Sequence, residues 1–305
     1  MADLGGLIKR VPSWDSVVSA LDQMPATHGA ISPFVPGDSI ESAVTAVEEV
    51  SAAGMTASVA YLPDREGEAS SLIVLLQTID ALDSASLADG SDLMVDLAAL
   101  GLARGVGPEA VAVDLGALCG AAEAAGMTVT LDGLAYEFLA EALAIHAQLA
   151  DDHPDLGITI AANLLRSEAD SGDLGRAGAR VRLVRQEPVG SPGLAFTNGH
   201  EIDKSYVRCA RLLISSGART TIATHDPRLI EIASALAVRS DREAGHLSFQ
   251  FRLGVRKQAA ADLVSGGAHV GVLIPFGPDW PGYMARRIAL KPRSVGQAAR
   301  AAVRR

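Results

Sequence analysis

Three charged residues sit where a folded chain rarely tolerates charge. Asp96, Asp132 and Arg182 each lie in or beside a short run with the composition of a buried strand. A charge in such a place is costly unless it is paired or used. A second group stands near the C-terminal end, where Arg286 and Arg287 are adjacent and Tyr283 lies three and four residues before them. On a helix Tyr283 shares a face with both arginines, while the arginines themselves point about 100° apart. Guanidinium forks grip carboxylates bidentately, and an aromatic ring beside them shields the pair from water. The chemistry implied is recognition of a small acid by paired cations.

The elements that must position these residues repeat along the chain. Helical patterns cover Ser39–Ala53, Ser71–Leu82, Glu109–Ala125, Tyr136–Leu149, Glu168–Arg176, Glu201–Ser216, Pro227–Val238, Lys257–Ser265 and Gly282–Leu290. Strand-like runs alternate with them at Met55–Leu62, Leu93–Leu97, Met127–Leu131, Leu156–Ala162, Arg180–Val184, Arg219–Ala223, Leu247–Phe251 and His269–Pro275. Alternation of this kind implies a parallel sheet. The strand runs read as apolar without alternation, as in a sheet covered on both faces. Eight units in about 230 residues is the scale of a closed (β/α)8 barrel, the α/β class known as the TIM barrel. No GxGxxG turn follows the first strand, which counts against an open dinucleotide-binding sheet. Residues 1–38 read as an N-terminal extension, 39–298 as the barrel and 299–305 as a basic tail.

In a barrel of this kind function lies where strands end. Asp96, Asp132, Asn163, Arg182 with Arg185, His225 and Arg252 fall at successive strand ends, followed by Tyr283, Arg286 and Arg287 on the last helix. The 305 residues are 49% hydrophobic but only 4% aromatic, so the core must be Ala, Val, Leu and Ile. A net charge of −10 with no basic run excludes a nucleic-acid partner of the usual kind. Cys119 and Cys209 are far apart in apolar helical patterns, which fits inert thiols in a reducing cytoplasm. The longest apolar stretch, Leu72–Ile79, is too short to span a bilayer, so no transmembrane segment is expected. No metal site is expected.

The stretch Leu273-Ile274-Pro275-Phe276-Gly277-Pro278-Asp279-Trp280-Pro281-Gly282-Tyr283-Met284-Ala285-Arg286-Arg287-Ile288-Ala289 resembles the signature of the proline dehydrogenase family. That signature is a strand ending in a Pro-aromatic-Gly turn, then Tyr-x-x-Arg-Arg. Thr130-Leu131-Asp132, Arg166-Ser167-Glu168-Ala169-Asp170, Arg180-Val181-Arg182-Leu183-Val184, Ala223-Thr224-His225-Asp226 and Phe249-Gln250 resemble further family motifs, in order and at fitting spacing. The resemblance implies a flavoenzyme barrel with FAD across the strand C-termini. It implies oxidation of L-proline to pyrroline-5-carboxylate by hydride transfer to flavin N5, and a quinone-type electron acceptor. It also implies a cytoplasmic protein in contact with the inner face of the membrane.

By the same resemblance Arg286 and Arg287 would grip the substrate carboxylate and Tyr283 would pack on its ring. Asp96 would line the substrate side. Asp132 and Arg182 would form the catalytic network, Arg182 lying near flavin N5. Gly133, Ala161, Arg182, Arg185, Gln186, Glu187, Thr224 and His225 would line the cofactor. The chain departs from the family pattern at several of these places. A second-strand lysine is here Asp96, a fourth-strand glutamine Ala161, and the tyrosine two residues on Asn163. A Lys-Gly-Ala-Tyr run is Arg185-Gln186-Glu187-Pro188, a seventh-strand apolar residue is Arg252, and a glutamate partner of the second arginine is Leu290. Asp96 would stand beside Asp132, and Arg252 is the cation expected to separate them. The altered lining keeps two alternatives open: action on another cyclic amino acid, and binding of a small acid without turnover.

Overall fold

In the computed structural model, which describes residues 33–64, 71–132, 136–186, 193–240 and 246–284, eight parallel strands close on themselves in chain order. They are β1 (Thr56–Tyr61), β2 (Asp92–Asp96), β3 (Thr128–Asp132), β4 (Gly157–Ala161), β5 (Arg180–Val184), β6 (Arg219–Ala223), β7 (Leu247–Arg252) and β8 (His269–Phe276). Helix α1 (Ile40–Ala52) precedes β1. The helices α2 (Ser71–Ser84), α3 (Pro108–Ala124), α4 (Leu139–Leu149), α5 (Ser167–Arg176), α6 (Gly199–Ser216), α7 (Pro227–Arg239) and α8 (Lys257–Ser265) connect successive strands. The ring closes where β1 pairs with β8 from Thr56↔Gly271 to Tyr61↔Phe276. This is the expected (β/α)8 barrel.

Local chemistry explains the boundaries. Ser39 caps α1 by accepting from the Ser42 amide, and Asp226 caps α7 in the same way ahead of Pro227 at the first helical position. Helix α6 starts at the Asn198 cap and stops at Gly217, whose φ of 104° lies in the left-handed region. The strand ends shift slightly from the sequence reading. Asp132 and Arg252 are last residues of their strands rather than residues beyond them, and β2 ends at Asp96 rather than Leu97, with Asp96↔Asp132 and Arg252↔Leu273 as ladder pairs.

Each strand has two faces, and they differ in chemistry. The outward set includes Val59, Leu93, Val95, Val129, Leu131, Ile158, Ile160, Val181, Leu183 and Ile274, all buried against the helices. The inward set includes Ser58, Asp92, Thr130, Thr159, Arg180, Arg182 and Gln250. The strands therefore alternate after all, which corrects the reading of uniformly apolar runs. Thr and Ser at inward positions satisfied the strand composition without being apolar. Among the described residues no helix is long and apolar enough to cross a membrane.

Cys119 and Cys209 are both buried and free. Burial, with Glu123 adding to it, pushes the Cys119 thiol up to about 12, and burial also raises that of Cys209. A thiol held protonated and out of solvent is a poor nucleophile. The folded protein is expected to leave both thiols unreacted with a disulfide reagent at pH 8, and both should react once urea unfolds the chain. Fast labelling of either thiol in the native protein would show that its helix opens readily.

Candidate active site

Arg182 enters the barrel from the middle of β5 and is only 6% exposed. Its Nε–H donates to Gln250 Oε1 on β7 at 2.6 Å, and Nη1 donates to Asp132 Oδ1 on β3 at 2.7 Å. A longer contact of 3.4 Å reaches Thr159 on β4. Gln250 in turn donates from Nε2 to Ser58 Oγ on β1 at 2.9 Å. The chain Asp132–Arg182–Gln250–Ser58 thus links the four odd-numbered strands across the lumen. Charge-assisted bonds of this length are the stronger class, and together they fix the guanidinium plane from opposite walls.

The strand ends above carry the other expected residues. Asp96 is the ladder neighbour of Asp132, and its Oδ1 accepts from the Ala98 amide at 2.9 Å. Asp132 pairs with the Arg182 guanidinium, and β7, which ends in Arg252, lies across the barrel from it. The backbone N–H of Arg252 donates to His225 Nε2 at 3.0 Å, so that nitrogen is the unprotonated one. The His225 ring also packs against Phe251. Thr224 is buried beside it, and its hydroxyl accepts from the Asp226 amide.

Ala161 at the end of β4 forms an apolar shelf with Val184, Leu139 and Leu164, and Ala223 packs against it. Arg185 turns outward, bonding Asp203 Oδ1 at 2.7 Å and the Gly199 carbonyl at 3.0 Å, with Gln186 Oε1 at 3.4 Å. Its donors thus brace the start of α6. Tyr283 belongs to a separate buried cluster with Val35, Trp280 and Met284, against which Phe34 and Leu62 pack. Gly133, Glu187, Arg286 and Arg287 lie outside the described residues.

Two glycines let other stretches of backbone approach closely at this end of the barrel. A Cβ on Gly254, just after β7, would come within 2.1 Å of the Pro33 carbonyl oxygen, and its φ is 73°. A Cβ on Gly277, after β8, would come within 2.5 Å of the Leu62 oxygen at a φ of 123°. The Gly277 amide donates to the Gly37 carbonyl at 3.2 Å. Residues 33–37 are therefore seated beside the ends of β7 and β8.

A second polar network lies at the N-terminal ends of the strands. Arg180 Nη2 donates to Asp92 Oδ1 at 2.8 Å, to Thr130 Oγ1 at 2.6 Å and to the Val129 carbonyl at 2.7 Å. Thr128 and Thr130 also donate to Asp92. These groups border a cavity of about 120 Å³ that reaches up to Arg182 and Gln250, roughly four water volumes. The cavity lies at the end of the barrel opposite the usual catalytic face. Its Arg180–Asp92 pair is satisfied by protein, so this region reads as architecture.

Sequence reasoning gave Gln250 and Arg180 only places in motifs and passed over Ser58, Thr159 and Asp92. Their signal was present as polar residues at every second strand position, Ser248-x-Gln250-x-Arg252 and Thr128-x-Thr130-x-Asp132 among them.

Residues 38–289 match the family model described as proline dehydrogenase. The chain belongs to the proline dehydrogenase family. It is 29% identical over 266 residues to proline dehydrogenase 1 of Bacillus subtilis, covering 86% of this chain and 87% of that relative. Proline dehydrogenase of Deinococcus radiodurans is 25% identical over 284 residues, covering 86% of each. Among solved structures, proline utilization A from Bdellovibrio bacteriovorus, inactivated by N-propargylglycine, superposes with a TM-score of 0.76 at 20% identity. That likeness covers 97% of this chain and 38% of the other, and it shows a shared fold.

Proline dehydrogenases are flavin-dependent in general. The described residues suit a flavin ring at one place. Arg182 is a buried cation whose Nη2 has no protein acceptor among the described residues, and the shelf of Ala161, Val184 and Ala223 lies at the ends of strands next to it in the sheet. Arg185, by contrast, is already committed to Asp203 and Gly199.

The Arg180–Asp92 pair tests how the lumen is held together. Asp92→Leu strands a buried guanidinium and should lower unfolding free energy by about 3 kcal/mol in urea titration. A loss below roughly 1 kcal/mol would mean that water in the cavity replaces the carboxylate.

Proposed function

We propose that this member of the family oxidises L-proline to pyrroline-5-carboxylate with FAD as cofactor, its part in proline catabolism. The observation that carries the reading is the buried Arg182, clamped between Asp132 and Gln250 near the ends of the strands. The family membership, through relatives named proline dehydrogenase, supports the substrate.

Bound beside Arg182, FAD would supply the acceptor for the hydride leaving the ring carbon next to the proline nitrogen. Arg182 would hold fixed positive charge there, and preorganised charge favours the state in which negative charge develops. Asp132 keeps that cation in place through the 2.7 Å bond. Thr224 and His225, at the end of β6, would contact the cofactor, with His225 neutral because its Nε2 accepts a backbone hydrogen bond. Ala161 would offer an apolar surface in place of a polar contact. Arg286 and Arg287 would bind the substrate carboxylate, and Tyr283, in one buried cluster with Trp280, would exclude water from that side. Asp96 would line the substrate side. The electrons would pass to a quinone-type acceptor, reached by surface contact with a membrane.

The visible spectrum decides the reading. The purified protein, given FAD, is expected to show flavin absorbance that bleaches under anaerobic L-proline. A colourless protein that takes up no FAD would overturn the flavoenzyme, and bleaching by a different cyclic amino acid alone would move the substrate. Arg286→Ala should raise KM for proline about 100-fold, as expected for loss of a charge-assisted carboxylate grip. An unchanged KM would remove Arg286 from the substrate site.

A further inference from the structure

We propose that Gln250 and Ser58 are positioning residues for the reaction, acting together to orient Arg182. The inference rests on the reading of Arg182 as the cation beside the flavin. It follows from how few arrangements the buried bonds permit.

A guanidinium on a flexible stem is held only when its nitrogens are engaged from more than one side. Asp132 engages Nη1, which sets position but leaves rotation about the terminal bonds. Gln250 engages Nε at 2.6 Å, and the second anchor removes that rotation. Nε–H is a donor with no alternative role, so it requires an acceptor facing it. A carboxamide is ambiguous in this respect, because its oxygen and its NH2 occupy nearly the same volume. With the amide reversed, Gln250 would present donors to a donor.

Arg182 Nε–H, a donor only, selects the orientation, and Ser58, whose hydroxyl can donate or accept, anchors the far end of the amide. Its Oγ takes the Gln250 Nε2 hydrogen bond at 2.9 Å, which holds Oε1 against Arg182. All three side chains are buried: Ser58 is 6% exposed, Arg182 6% and Gln250 5%. All three are shielded from the outer surface and border only the cavity below. The neighbouring strands fix the backbone of each, with Gln250 opposite Gly271 in β8 and Ser58 between Asp92 in β2 and Leu273 in β8. Placement of the cation is thus shared by β1, β3, β5 and β7, and two of its determinants are uncharged residues.

Gln250→Met keeps the length and volume but removes the acceptor. Ser58→Ala removes the group that anchors the amide, with a smaller change in volume. Gln250→Glu retains an acceptor for Nε. Two readouts separate positioning from mere stability. In the protein labelled with 15N-arginine, the Arg182 Nε–H resonance, assigned by its loss in Arg182→Lys, should be slow to exchange in the native chain. It should broaden or vanish in Gln250→Met and persist in Gln250→Glu. In the flavin-loaded enzyme, Gln250→Met and Ser58→Ala should lower kcat about 10- to 100-fold, the scale of a small misplacement. KM for proline should stay within about twofold, as expected when uniform binding is untouched, and the flavin midpoint potential should move negative.

A slowly exchanging Arg182 signal that survives Gln250→Met in the folded protein would overturn the proposal. So would loss of that signal with kcat and potential both at the native values. A native protein that binds flavin but is not reduced by proline would instead overturn the proposed function. The resonance experiment needs neither flavin nor proline, so the two failures are distinguishable.

Discussion

One buried cation organises the lumen of this barrel. Arg182 sits at 6% exposure, and a guanidinium in that position persists only if acceptors are built around it. The acceptors come from β3 and β7, and a third, weaker one from β4. Those strands must carry Asp, Gln and Thr at inward positions where the fold more often places Val or Ile. Once Gln250 is committed to Arg182, its amide needs a partner of its own, and β1 must supply Ser58. A single charge thus propagates a polar demand around half the strands of the sheet.

The apolar work is displaced outward as a consequence. The main core is the annulus between strands and helices, filled by Leu, Ile, Val and Ala with Phe249, Phe251, Phe276 and Tyr206 as its large rings. Tyr206 shows how the two regions meet: it is almost wholly buried in that annulus and its hydroxyl donates to the Leu183 carbonyl on β5. Helix α6 is thereby tied to the strand that bears Arg182. Arg185, two residues beyond Leu183, adds a second tie to α6 through Asp203. The strand that presents the cation is therefore fastened to its helix by polar contacts at two levels.

Most of the architecture was legible in the sequence because helical spacing, capping residues and β-branched runs are local signals. Arg180–Val184, Arg219–Ala223 and Lys257–Ser265 form over the predicted bounds. The site was legible where a charge interrupted an apolar run, as with Asp132 and Arg182, or where a motif carried it. It was not legible where the decisive partner was an uncharged polar residue. Ser58 and Gln250 are separated by 192 positions, and nothing local to either marks their meeting. The Asp132–Arg182 bond likewise joins residues 50 positions apart, on strands that are not neighbours in the sheet.

The polar lumen also bears on how the chain avoids error while it is being made. The sheet is complete only when β8 joins β1, more than 200 positions away, so every partly assembled barrel exposes two open edges. Open edges recruit strands from other molecules, and charges pointing inward from the sheet discourage such pairing. Asp92, Asp132, Arg180 and Arg182 line the inner surface of β2, β3 and β5. Flattened against a foreign strand, they would face a neighbour without their partners. Only curvature brings them together, so the same side chains that equip the finished barrel penalise every unclosed one.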